Sequence, residues 1–264
     1  MSRFKFAFLA FFIFAACSSS GTSSNGGGNG DGGGGGTVAI IADHLAAAAF
    51  GGIPESYITQ AINSFKIFYG HTSHGSQIIT GLEMLQNAVY NYAGLSVEEY
   101  GSDLGDSEWP AITRNRLNEA GSDINVVMWS WCGQLSGLSS SDVDAYLSSM
   151  SALEGEYPSV KFIYMTGHTD GTGESGTLRT NNKRIRDYVA AHNKILFDFA
   201  DVESYDPDGT YYADTSDDCG WCTTWCASHT CPGCGSCAHS HCFNCYLKGK
   251  AFWWLLARIG GWSG

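Results

Sequence analysis

Apolar residues along this chain fall into short unbroken runs separated by segments with helical spacing. Lys66-Ile67-Phe68-Tyr69, Asn125-Val126-Val127-Met128-Trp129, Val160-Lys161-Phe162-Ile163-Tyr164-Met165 and Lys194-Ile195-Leu196-Phe197-Asp198-Phe199 read as four strands. The first three stop at polar, glycine-containing turns: Gly70-His71-Thr72-Ser73-His74-Gly75, Ser130-Trp131-Cys132-Gly133 and Thr166-Gly167-His168-Thr169-Asp170-Gly171. Helical patterns follow. Ile78, Leu82, Leu85 and Val89 share one face, a capped helix begins near Ser139-Ser140-Ser141-Asp142, and 182–192 is helical. Val38-Ala39-Ile40-Ile41, with 45–50 and 58–65, forms a lead-in that contains a helix, and a last helix runs through Ala251, Trp254, Leu255 and Arg258. Strands that are apolar throughout belong to a parallel sheet covered on both faces, so the pattern predicts an α/β domain. In such domains ligands bind beyond the carboxyl ends of the strands.

Composition narrows this picture. With 44% apolar residues in a 264-residue chain there is enough for one full core, which excludes a disordered protein or a coiled coil. A formal net charge of -12 leaves no basic face to neutralise a phosphate backbone, so no nucleic-acid partner is expected.

The amino terminus reads as an address. A basic start (Arg3, Lys5), an apolar run from Phe6 to Phe14 and then Ala15-Ala16-Cys17 form a run too short to span a hydrocarbon core, which takes about 20 residues. The ending resembles a bacterial lipobox, which implies a lipoprotein signal peptide over 1–16 and a lipid on Cys17; the alternative is an ordinary secretory signal with a chance cysteine. Residues 17–36 are a Gly/Ser-rich linker that buries no surface. The expectation is an exported protein held by lipid at the outer membrane or cell surface, with a folded domain over 37–264.

Histidine placement points to a site. Of eight histidines, His71 and His74 follow the first strand, His168 follows the third, and His239 and His241 precede the last helix. Imidazoles on loops at one sheet edge suit either of two chemistries. One is a metal centre in which His71, His74, His168, Asp170 and His239, with His241, offer the N and O ligands that Zn²⁺ takes, one position staying open for water. The other is a nucleophile activated by an imidazole.

The loops resemble those of the SGNH (GDSL-like) hydrolases, over about residues 65 to 262. Tyr69-Gly70-His71-Thr72-Ser73-His74-Gly75 stands where that family carries its nucleophilic serine, without the usual Gly-Asp before it. Tyr100-Gly101-Ser102-Asp103-Leu104-Gly105 matches the block whose glycine amide serves the oxyanion hole. Ser130-Trp131-Cys132-Gly133-Gln134 stands at the block that normally ends in Asn-Asp, with Cys132 or Gln134 as nearest substitutes. His241-Cys242-Phe243-Asn244 takes the place of the catalytic histidine block, with Ala238 where the triad aspartate belongs. The resemblance implies a three-layer α/β/α flavodoxin-like (SGNH-type) fold with a parallel sheet and a Cys-rich insertion. It also implies a carboxylic ester hydrolase that needs no cofactor, in which Ser73 attacks, His241 is the base, Gly105 and Ser73 hold the oxyanion, and Gln134 stands in for the asparagine. His239, Asp218 or another carboxylate then orients His241. An ester such as an acyl group on an extracellular polysaccharide is the expected substrate. Ser73 also reads as a turn residue capping the next helix. A third reading is a non-catalytic surface binding module on a hydrolase scaffold.

Eight cysteines lie between Cys219 and Cys245, a dense even set that reads as disulfides in an exported protein and, through its Cys-x-x-Cys steps, also as a thiolate zinc or metal–sulfur site. Cys132 is left over, as a packing residue or a site residue. Asp206, Asp208 and Asp214, with Gly209 between them, have the spacing of a Ca²⁺ loop, or form a solvated acidic turn. Trp109, Trp129, Trp131, Trp221 and Trp225 lie in or near loops, where they form a sugar-stacking surface or belong to the core.

Overall fold

The computed structural model describes residues 38–264. The segments read from the sequence as a signal peptide (1–16) and a linker (17–36), with Cys17, lie outside these residues. Six strands pair in parallel throughout: β1 (Ile40–Ala42), β2 (Lys66–Gly70), β3 (Ser96–Tyr100), β4 (Val126–Trp129), β5 (Lys161–Met165) and β6 (Ile195–Phe197), in the order β1-β6-β5-β4-β2-β3. The helices are α1 (His44–Ala49), α2 (Glu55–Ser64), α3 (Ser76–Met84), α4 (Trp109–Asn118), α5 (Ser140–Glu156), α6 (Thr177–His192), α7 (Phe199–Ser204), α8 (Gly220–Cys226) and α9 (Cys242–Ile259). On one face α9 packs against α1, α2, α3 and α7; on the other α5 packs against α4 and α6. The fold is a three-layer α/β/α flavodoxin-like domain with β1 added beyond β6, and the Cys-rich segment 219–245 follows α7 and runs into the first turn of α9. No helix among the described residues is long and apolar enough to cross a membrane.

The apolar runs become central strands because helices cover both of their faces. All four residues of β4 are buried, as are the last four of β2 and of β5. Trp129, Trp253, Tyr69 and Tyr164 are the largest side chains of this core that are fully buried. Within it α3 and α9 meet backbone to backbone at Gly81 and Gly249; a Cβ at Gly81 would stand 2.0 Å from the carbonyl oxygen of Cys245. Only glycine permits that approach.

Local signals set the ends. Ser139 caps α5 in a full capping box with Asp142, as the sequence predicts. The helical face predicted through Val89 stops at Met84, because the Asn87 carboxamide oxygen accepts the amides of Val89 and Tyr90 at 2.8 and 2.9 Å and folds the chain into a turn. The run predicted as a strand through Phe199 ends at Phe197, where Asp198 caps α7. The pattern did not signal β3, an edge strand whose Glu98, Glu99 and Tyr100 face solvent.

Candidate active site

Parallel pairing brings the turns after β2, β3, β4 and β5 to one edge. Strand order reverses between β2 and β4: the chain runs from β2 outward to β3, then crosses back to β4. This is the switch point at which doubly wound sheets bind ligands. His74 sits after β2 and Cys132 after β4, on the two sides of it.

His74 and Cys132 touch. The thiol Sγ lies 3.2 Å from His74 Nδ1, and His74 Nε2 lies 3.0 Å from the Asp217 carboxylate. An ionised carboxylate only accepts, so Nε2 carries the proton and Nδ1 is left to accept one from the thiol. Ser73 Oγ lies 3.7 Å from the same sulfur. Two imidazoles stack on His74, that of His168 at 3.9 Å and 5° and that of His239 at 4.6 Å and 20°. His74 is 6% exposed. Burial holds its pKa below the ordinary imidazole value of 6.5, the Asp217 hydrogen bond opposes that shift, and the neighbouring His168 and His239 add to it. The ring is thus neutral at neutral pH, the state a proton acceptor needs.

Around the sulfur the backbone is held by Asp103, which is 6% exposed. Its carboxylate accepts the Gly105 amide at 2.8 Å, the Gln134 carboxamide at 3.0 Å and the Thr72 hydroxyl. Gln134 in turn accepts the Cys132 amide at 2.9 Å. One buried carboxylate therefore links the turns after β2, β3 and β4.

The predicted site residues divide. His74, His168 and His239 come together, and Ser73 and Gln134 adjoin them. Ser73 has Cys132 as its side-chain partner, and no hydrogen bond joins it to His241 among the described residues. His241 instead caps α9, its Nδ1 accepting the Phe243 amide at 3.1 Å. The Gly105 amide is occupied by Asp103. His71 turns to the sheet edge, with Nε2 2.9 Å from Glu99 and Nδ1 3.1 Å from the Thr72 carbonyl. Asp170 accepts the amide and hydroxyl of Thr172. Asp206 accepts the amides of Asp208 and Thr210 and the Tyr212 hydroxyl, the pattern of an acidic turn; the converging ligand groups among the described residues do not include Asp206, Asp208 or Asp214.

Two groups of possible metal ligands converge among the described residues: His74, His168 and Asp217, and separately Asp43, His44 and Asp201, each set with its ligand atoms within 4.8 Å of one another. The eight clustered cysteines form four disulfides, Cys219–Cys222, Cys226–Cys231, Cys234–Cys242 and Cys237–Cys245, leaving Cys132 as the free thiol among the described residues. Of the loop tryptophans, Trp109, Trp129, Trp131 and Trp221 are buried, so their rings belong to the core.

Asp217 was not among the sequence candidates. Its neighbour Asp218 was, but Asp218 faces the Ser216 hydroxyl at 2.6 Å. The fold and site define an α/β protein with a thiol–imidazole–carboxylate chain at its switch point. Comparison with protein-family models, with curated proteins and with solved structures finds no match to this chain.

Proposed function

We propose that this protein is an acyl-transfer hydrolase in which Cys132 is the nucleophile, His74 the general base and Asp217 the group that orients His74. The observation that carries the reading is the continuous chain Cys132 Sγ, His74, Asp217 with contacts of 3.2 and 3.0 Å. His74 Nδ1 takes the thiol proton as sulfur attacks an ester carbonyl carbon. The tetrahedral intermediate collapses, the C–O bond breaks, and the imidazolium returns its proton to the leaving alkoxide. Water then attacks the thioester with His74 again as base, releasing the acid and restoring the thiol. Ser73 Oγ, 3.7 Å from the sulfur, donates to the developing oxyanion, a role open to it because the Gly105 and Cys132 amides already have acceptors. The expected SGNH-like ester hydrolysis is kept and its nucleophile moves from Ser73 to Cys132.

Substrates of this reading are esters outside the cytoplasm, such as acyl groups on polysaccharide, reached by a protein tethered through Cys17. Four disulfides in 219–245 suit an oxidising compartment. The test is hydrolysis of p-nitrophenyl acetate by the oxidised protein and its variants. Cys132→Ala is expected to abolish turnover and Ser73→Ala to lower it by about tenfold to a hundredfold. Full activity in Cys132→Ala with none in Ser73→Ala would return the nucleophile to the serine.

A second reading is supported by the convergence of His74, His168 and Asp217 within 4.8 Å. Three such ligands with an open fourth position suit a hydrolytic Zn²⁺. His168→Ala separates the two: a metal centre loses both its zinc, by elemental analysis after dialysis, and its activity, whereas the thiol mechanism keeps turnover.

A further inference from the structure

Helices α7 and α9 carry an ion pair with no access to water. Lys248 on α9 and Glu203 on α7 are both 0% exposed, with Nζ and Oε1 2.7 Å apart. Replacing such a pair by apolar side chains is often neutral or stabilising, so stability alone does not account for it. Its connections do.

Glu203 Oε2 accepts the amide and hydroxyl of Thr169, next to His168, at 2.6 and 2.9 Å. Its backbone carbonyl accepts the Trp221 indole at 2.7 Å, in the segment that follows Asp217. Lys248 donates to Gln77, on the first turn of the helix that follows His74. Gln77 donates onward to the carbonyl of Ala238 at 2.6 Å, the residue before His239. Asn244 closes the set between Ser240 and Glu203. Every loop that contributes a ring to the site is thus anchored to one buried pair, and the Trp221 bond ties the segment after Asp217 to the backbone beside it.

We infer that Lys248 and Glu203 are positioning residues that hold His74, His168 and His239 in register, an inference that rests on the proposed thiol site only for its catalytic consequence. Neither group reaches the sulfur; each acts through the loops it anchors. His239, in left-handed backbone at φ 60°, is the member most dependent on such an anchor.

The test uses the full chain and two readouts. Imidazole proton resonances report the stack, because rings 3.9 and 4.6 Å apart shift one another strongly. Alkylation of the Cys132 peptide by iodoacetamide, followed by mass spectrometry, reports thiol activation. In the neutral Glu203→Gln/Lys248→Met variant, the His74, His168 and His239 signals are expected to collapse to ordinary positions while the Trp129 and Trp253 indole signals stay. Alkylation is expected to slow by about a hundredfold, the effect of roughly 1 Å of misplacement. Thr169→Val, a change on a half-exposed loop, is expected to move the His168 signal and, through the stack, that of His74, and serves if the double variant does not fold. Unmoved imidazole signals in a folded double variant, or in Thr169→Val, would overturn the inference. A wild-type Cys132 that alkylates no faster than a peptide thiol would instead refute the thiol reading, with the resonances still deciding the role of the pair.

Discussion

The Gly81→Ala substitution tests the helix contact that seats α9. A methyl group there would lie 2.0 Å from the Cys245 oxygen, 2.6 Å from the Gly249 nitrogen and 2.9 Å from its Cα. All three atoms are backbone, so no rotamer change makes room, and α3 and α9 must part by about 1 Å to restore ordinary contact. Overpacking of one carbon costs about 1–3 kcal/mol, and more when both sides are rigid; we take ~4 here. Alanine returns about 1 kcal/mol through helix propensity, leaving a net loss of ~3 kcal/mol. At about 2–4 °C per kcal/mol for a domain of this size, the melting temperature falls by roughly 6–12 °C. Gly155→Ala is the control. Gly155 is an exposed residue inside α5, where a Cβ meets nothing within 4 Å, so the same chemical change should raise stability by about 0.5–1 kcal/mol. Thermal unfolding followed by circular dichroism, disulfides intact, measures both. A Gly81→Ala protein that melts within 2 °C of the Gly155→Ala protein would refute the reasoning. The change should reach the site too, because Asn244, Lys248 and Gly249 ride on the displaced helix.

Asp217→Asn keeps the shape of the site and removes the charge that fixes the His74 tautomer; Cys132 alkylation at pH 7 is expected to slow by about a hundredfold, and an unchanged rate would remove Asp217 from the mechanism. Because burial holds His74 below 6.5, the unfolded chain binds more protons than the native one as pH falls from 6.5 toward the native value, so stability is lost through that window. Urea unfolding at pH 7.5 and 5.5 should show the loss, and His74→Gln should flatten it; an equal slope in that variant would refute the assignment. Thr113→Val leaves the buried Trp129 indole, now 2.9 Å from the Thr113 hydroxyl, without an acceptor and should cost about 1–3 kcal/mol in the same assay.

Strands covered on both faces were legible because burial on two sides demands unbroken apolar runs. β2, β4 and β5 follow directly from 66–69, 125–129 and 160–165. β3 escaped because Ser96, Glu98 and Glu99 can face water on an edge and still keep the ladder with β2. In the site, the rule that turns after parallel strands converge found His74 and His168, since those positions depend only on strand order. Cys132 stood out as a cysteine at such a turn, but nothing along the chain shows which way its sulfur points. His241 and Asp217 depend on the path of 205–241 across the sheet edge. That path is set by disulfide pairing, the Trp221–Glu203 bond and the left-handed turns at Cys219 and His239, none of which periodicity reports.

The four disulfides span sequence separations of only 3, 5, 8 and 8 residues. Each therefore joins cysteines that stay at high effective concentration in the unfolded chain, whereas a bond to Cys132 would have to close a much longer loop. Oxidation of the eight needs no partner from outside 219–245. Among the described residues the sulfur at the switch point is left as the odd one out. A variant with any one of the eight changed would release a competitor for Cys132, and a poisoned site would follow in a correctly built fold.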